Sequence, residues 1–137
     1  MTQHPQLLLE TSRFRVVEQN LPISEGGGCK QYILHPGAVA LIPLLPGEKI
    51  CLIHNYRISV SKRMIELPAG TIDPGEEPLD TAQRELKEET GYSASDWCQL
   101  PGFSMSPGIL NERMHLFVAN QLTAGEPQRE AGEQIDN

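Results

Sequence analysis

Residues 70–92 read GTIDPGEEPLDTAQRELKEETGY, and the fold turns on this stretch. Asp73-Pro74-Gly75-Glu76 places Pro and Gly at the centre of a type II turn. Residues 79–90 then follow helical spacing. Pro78 suits the first turn, Leu79, Ala82 and Leu86 make one apolar stripe, and Gly91 suits the left-handed position just past a helix end. With Leu79 set at 0° and about 100° per residue, Leu86 falls at about 340° and Ala82 at about 300°. Glu85, Glu89 and Glu88 fall at about 240°, 280° and 180°, an arc of carboxylates beside the apolar stripe. Glu85 and Glu89 stand one turn apart, a like-charge spacing that destabilises a bare helix by roughly a few tenths of a kcal/mol. Lys87, at about 80°, is too far round to neutralise them, and Arg84, at about 140°, borders Glu88. Such a face suits a hard divalent cation, Mg²⁺ or Mn²⁺, because every ligand is oxygen. The helix holds no His or Cys that would point to zinc. The alternative is a solvated acidic face.

The flanking sequence reads as strands. Residues 14–17 and 30–35 bracket a Gly26-Gly27-Gly28 turn, and 38–45 (AVALIPLL) is a nearly continuous apolar run of the kind found in buried strands. Pro46-Gly47 marks a turn before 49–56 (KICLIHNY), so 38–56 reads as a hairpin. Further strands are expected at 63–67, 97–104 and 114–119, with a polar tail over 121–137. The organisation is one α/β domain whose sheet packs on at least one helix.

Composition supports a single domain. The chain has 137 residues, 39% hydrophobic, 21% charged and 5% aromatic, ordinary values for one globular unit. No window of 18 apolar residues occurs, so no spanning helix and no membrane partner is expected. MTQHPQLLLE lacks the pattern of a secretory leader. Three cysteines, Cys29, Cys51 and Cys98, with no C-x-x-C, fit a reducing, cytoplasmic setting. The net charge of -7 is concentrated in two short segments. Residues 76–91 hold six acids against Arg84 and Lys87, and residues 124–137 hold four against Arg129. Such a chain is a poor partner for duplex nucleic acid.

The full spacing is Gly70, five residues, Glu76, seven residues, then Arg84-Glu85-Leu86-x-Glu88-Glu89-x-Gly91. It resembles the Nudix box, the signature of hydrolases acting on nucleoside diphosphates linked to another moiety. At background usage a chance match has a probability on the order of 10⁻⁸ or less per start position. The final position of the box is usually aliphatic and here is Tyr92. The resemblance implies a Nudix-type α/β/α sandwich with a mixed sheet over residues 36–137, preceded by an N-terminal β segment over 1–35. It further implies Glu85 and Glu89 as the main metal ligands and Glu88 as a further or water-mediated one. Arg84 would orient Glu85, Gly70 would be the close-approach glycine, and the Ala69 carbonyl would be an additional ligand.

His35-Pro36-Gly37-Ala38-Val39-Ala40, Asn55-Tyr56-Arg57, Glu66-Leu67-Pro68-Ala69-Gly70, Pro107-Gly108 and Asn111-Glu112-Arg113-Met114-His115-Leu116-Phe117 together resemble the ADP-ribose pyrophosphatase subfamily. The reaction implied is Mg²⁺-dependent hydrolysis of ADP-ribose to AMP and ribose 5-phosphate. On this resemblance Arg57 contacts the diphosphate, with a surface charge as its alternative. Glu66 lies near substrate and metal, or else pairs with Lys62 or Arg63. Tyr56 is a substrate contact or a packing residue. His35 and His115 read as structural, and Trp97 as packing. In the tail, Glu133 matches a catalytic glutamate on a loop, with Glu130 and Glu126 as fallbacks and a solvated tail as the alternative. Relatives in this family are commonly dimers, which implies a homodimer whose strands around 14–35 help form the partner's pocket. Two rival functions stay open. One is another Nudix substrate, such as a nucleotide sugar, a dinucleoside polyphosphate or a nucleoside triphosphate. The other is a ligand-sensing Nudix domain without turnover.

Overall fold

The computed structural model describes residues 4–129 and, for the backbone, 135–136. In chain order the strands are β1 (Gln6–Glu10), β2 (Arg15–Asn20), β3 (Cys29–Leu34), β4 (Ala38–Leu45), β5 (Lys49–Ile50), β6 (Ile53–Arg57), β7 (Lys62–Glu66) and β8 (Ala69–Thr71). The helix α1 (Pro78–Thr90) follows, and then β9 (Ser93–Ser104), β10 (Arg113–Thr123) and β11 (Ile135–Asp136). They make three sheets. The first is β1-β2-β3; the second is β5-β4-β10-β9 with β8 also on β4; the third is β11-β6-β7.

The central sheet is mixed. β10 runs parallel to β4, from Met114 opposite Ala38 to Ala119 opposite Pro43, while β9 is antiparallel to β10 and β8 is antiparallel to β4. The apolar run of β4 is buried on both faces, which explains why it does not alternate with polar residues. Val39 and Leu41 point into a core with Ala82, Leu86, Phe117 and Ala119. On the opposite face Ala38 and Ala40 pack with Met114. α1 covers the first of these faces. Tyr92 packs against the same core, which accounts for an aromatic side chain at the end of the box.

The expected mixed sheet, the β segment that precedes it and the helix are present. The hairpin expected over 38–56 is cut short. Only Leu44 and Leu45 pair with Ile50 and Lys49, after which β6 leaves to pair along its whole length with β7. The local turn Arg57–Ser61 closes that second hairpin, with Val60 N–H donating to the Arg57 carbonyl and Ser61 N–H to that of Ile58. Leu79 departs from the expected apolar stripe. It is 39% exposed, because the core contacts of α1 begin a turn later, at Ala82.

The N-terminal sheet is tied to the rest at β3. Ile33 N–H donates to the Ile109 carbonyl at 2.9 Å, Asn111 N–H to the Ile33 carbonyl at 3.1 Å, and His35 N–H to Asn111 Oδ1 at 2.8 Å. β1, in contrast, is exposed along its whole length, Leu7, Leu8 and Leu9 included.

Candidate active site

The buried residues of α1 are Thr81, Ala82, Glu85, Leu86, Glu89 and Thr90. On the wheel used above they span roughly 200° round to 20°, so Glu85 and Glu89 lie within the buried face rather than beside it. Glu85 is 8% exposed and Glu89 4%. Burying carboxylates is costly unless their oxygens meet donors or charges, and each of these two does. Arg84 Nη1 donates to Glu85 Oε1 at 2.9 Å and to Glu88 Oε2 at 3.2 Å. The Ala69 amide donates to Glu89 Oε2 at 3.0 Å.

Arg84 is itself held in place. Its Nε donates to Glu76 Oε2 at 3.0 Å and its Nη2 to Glu76 Oε1 at 2.9 Å, a two-point carboxylate fork. Nη2 also lies 3.4 Å from Asp73 Oδ2 and reaches the Thr71 carbonyl at 3.3 Å. Glu76 accepts in addition from the Asp73 amide and from Thr81 Oγ1. The Arg84 hydrogen bonds hold the Glu76 carboxyl down at about 2, from an ordinary value of 4.5. Reciprocally, the bond from Glu76, and then the charge of Glu85, raise the proton affinity of the guanidinium. Arg84 therefore stays charged, and it bonds Glu88 as well as Glu85, the residue for which the resemblance implied an orienting role.

Gly70 explains how the loop and the helix meet. A Cβ there would fall inside the Glu85 carboxyl group, so only a residue without a side chain lets Glu85 lie against the backbone of β8. Among the described residues no three His, Cys, Asp or Glu side chains are gathered into a ready-made cluster. Arg84 and the Ala69 amide occupy the carboxylates. The donor set is oxygen throughout, two of its carboxylates are buried, and a glycine cradle admits one of them. That chemistry fits a hard divalent cation.

Arg57 and Glu66, read separately from sequence, are partners. Arg57 Nε donates to Glu66 Oε1 at 2.8 Å and Nη2 to Glu66 Oε2 at 2.6 Å. This two-point bond crosses the β6–β7 hairpin and replaces the pairing of Glu66 with Lys62 or Arg63 that sequence left open. Tyr56 is 39% exposed on the same strand and is no core residue. His35 Nδ1 accepts from the Gly37 amide at 3.1 Å and lies 3.9 Å from Glu112 Oε1, a local structural role. His115 sits in β10 opposite Val39. Trp97 meets Phe117 edge-on, with ring centroids 6.4 Å apart, as packing.

The described residues of the tail before Glu130 make specific contacts with the end of the helix. Gly91 adopts φ +82° and its amide donates to the Lys87 carbonyl, closing α1 in the left-handed cap expected of it. Residues 125–129 lie across this end of the helix. Gln128 N–H donates to the Glu88 carbonyl at 2.8 Å and Arg129 Nη2 to the Glu89 carbonyl at 3.0 Å. Glu126 belongs to this segment and is exposed. Glu130 and Glu133 lie outside the described residues. Sequence reasoning assigned no role to Glu76, although the box spacing singles it out. It also missed Gln128 and Arg129, which act on backbone carbonyls and so leave no side-chain pattern to read.

Comparisons with known proteins identify the family. The family model described as NUDIX domain matches residues 34–137. The ADP-ribose pyrophosphatase of Bacillus subtilis (strain 168) is 38% identical over 116 residues, 84% of this chain and 63% of that protein. The methanol dehydrogenase activator of Bacillus methanolicus is 42% identical over 97 residues, 71% of this chain and 52% of its own length. A solved structure, "Crystal structure of ADP compounds hydrolase", superposes with a TM-score of 0.77 at 27% identity, covering 99% of this chain and 77% of that one. This chain thus spans between about half and two thirds of the length of these two curated relatives. With the family model covering most of the sequence, and the box residues Glu76, Glu85 and Glu88 bonded to Arg84 with Glu89 on the Ala69 amide, the chain belongs to the Nudix family.

Proposed function

We propose that this protein is a Nudix pyrophosphohydrolase that hydrolyses ADP-ribose to AMP and ribose 5-phosphate. The observation that carries the reading is the pair of buried carboxylates, Glu85 and Glu89, lodged between α1 and the Ala69–Gly70 backbone. A helix keeps two acids in its buried face at a cost to stability, and binding a divalent cation is the function that such an arrangement serves. Glu85, Glu89, Glu88 and the Ala69 carbonyl are the residues to hold Mg²⁺, with Mn²⁺ as the other oxygen-preferring candidate. The cation, when bound, neutralises diphosphate charge and lowers the proton affinity of water. The substrate assignment is supported by the names of two similar proteins, one an ADP-ribose pyrophosphatase and one an ADP compounds hydrolase.

The chain's own residues supply position and charge. Arg84 holds Glu85 and Glu88 in a fixed array. Arg57, fixed by Glu66 across the hairpin, is the residue to meet the diphosphate, with Glu66 and the exposed Tyr56 beside it. Attack on phosphorus needs a water that has lost its proton, and the box glutamates are committed to the cation. We assign the base to Glu133. The backbone on either side of that region is anchored, at the Gln128 amide on the Glu88 carbonyl and at β11 on β6, where Ile135 faces Asn55.

We further propose a homodimer in which the N-terminal β segment, residues 1–35, lies in the interface and its strands around 14–35 help form the partner's pocket. The exposed β1, with Leu7, Leu8 and Leu9, supports this reading. The cytoplasmic setting is supported by the cysteines, none of which is in a disulfide. No described helix is long and apolar enough to cross a membrane. A broader range of ADP-linked substrates is the second reading, favoured by the likeness to an ADP compounds hydrolase. Substituting Glu85→Gln or Glu89→Gln tests the site. Each is expected to lower turnover by at least about 10²-fold by removing a ligand charge, and near-wild-type rates in both would overturn the assignment.

A further inference from the structure

We propose that Arg129, together with the Gln128 amide, is a positioning residue that sets the metal-binding turn of α1 from outside the helix. The inference rests on the reading that Glu88 and Glu89 hold the cation. The last carbonyls of any helix lack intrahelical partners. In α1 two of these, in succession, belong to box glutamates. The Glu88 carbonyl accepts from Gln128 N–H at 2.8 Å and the Glu89 carbonyl from Arg129 Nη2 at 3.0 Å. Both donors come from a segment some forty residues further along the chain.

The approach is built into the backbone on both sides. A Cβ on Gly91 would collide with the Gly125 carbonyl, so the strap and the helix end meet through two glycines. The guanidinium also stands at the negative end of the helix dipole, where a cation is favoured. Glu89 is thereby held twice, at its carboxylate by the Ala69 amide and at its carbonyl by Arg129. Without Arg129 the last turn keeps the Gln128 bond at Glu88 but loses its outer bond at Glu89, and that ligand loses its fixed geometry.

The test is Mn²⁺ titration of the substrate-free protein, followed by electron paramagnetic resonance, on wild type, Arg129→Ala, Arg129→Gln and Arg129→Lys. Loss of a group that orients a metal ligand typically weakens affinity by about 10-fold or more, and Arg129→Ala is expected to show that loss while folded by circular dichroism. Arg129→Lys, which keeps a charged donor, should recover most of the affinity, and Arg129→Gln should lie between. A residue that merely stabilised the fold would lower the melting temperature and leave the affinity of the folded protein unchanged. Wild-type Mn²⁺ affinity in both Arg129→Ala and Arg129→Gln overturns the proposal alone. If Glu89→Gln also binds Mn²⁺ as wild type does, the metal site and the proposal fall together.

Discussion

Gly70 and Glu85 share one volume: the place where a side chain on Gly70 would begin is filled by the Glu85 carboxyl group. Arg84 holds the same carboxyl through Oε1 at 2.9 Å, so a shift of Glu85 away from a new side chain disturbs its ion pair. Gly70→Ala is therefore expected to keep the fold and to lose activity by about 10²-fold, the scale reached when a reacting array is displaced by about 1 Å. Steady-state rates beside circular dichroism check this, and a fully active alanine variant would contradict it.

The same logic at the other end of α1 predicts a stability effect. Gly91 has φ +82° and its Cα faces the Gly125 carbonyl. Gly91→Ala adds left-handed strain of roughly 1–2 kcal/mol and a backbone collision besides. Urea unfolding should show a loss of at least about 1 kcal/mol, and an unchanged midpoint would show that the strap does not lie against the helix end.

Acid stability follows from Glu76. Its folded value of about 2 lies below the ordinary 4.5 because Arg84 bonds the carboxylate. Between these values the unfolded chain binds more protons, so stability falls as pH falls. The contribution is complete above about 4.5 and is lost as pH drops through about 2. Unfolding free energies measured across this window should decline more steeply in wild type than in Glu76→Gln. Equal slopes would contradict the pairing.

Glu133→Gln is expected to reduce kcat far more than it raises KM, with metal binding kept, as befits a group that acts on the attacking water. If Glu130→Gln or Glu126→Gln has that effect instead, the tail supplies the base from a different residue. Normal kcat in all three would move the base into the box, with Glu88 next.

Much of the site was legible in the sequence, for physical reasons that also explain the gaps. The helix and the shared face of its glutamates follow from residue identities at fixed spacing, since a 3.6-residue period converts directly into a shared face. The contact of Arg84 with Glu85 is local and was readable. β8 was not, because Ala69-Gly70-Thr71 carries little strand signal and exists by pairing with β4. The union of Arg57 with Glu66 depends on the register of the β6–β7 hairpin, which the turn at Ile58–Ser61 sets. Leu79 fits the stripe by angle and fails by position, lying a turn before the core begins.

The measurement that tests the central claim most directly is mass spectrometry of the products formed when the purified protein is incubated with ADP-ribose and Mg²⁺. The account predicts AMP and ribose 5-phosphate in equal amounts, lost on chelation and in Glu85→Gln and Glu89→Gln. Intact ADP-ribose after prolonged incubation, with another nucleoside diphosphate compound cleaved or none at all, would contradict it.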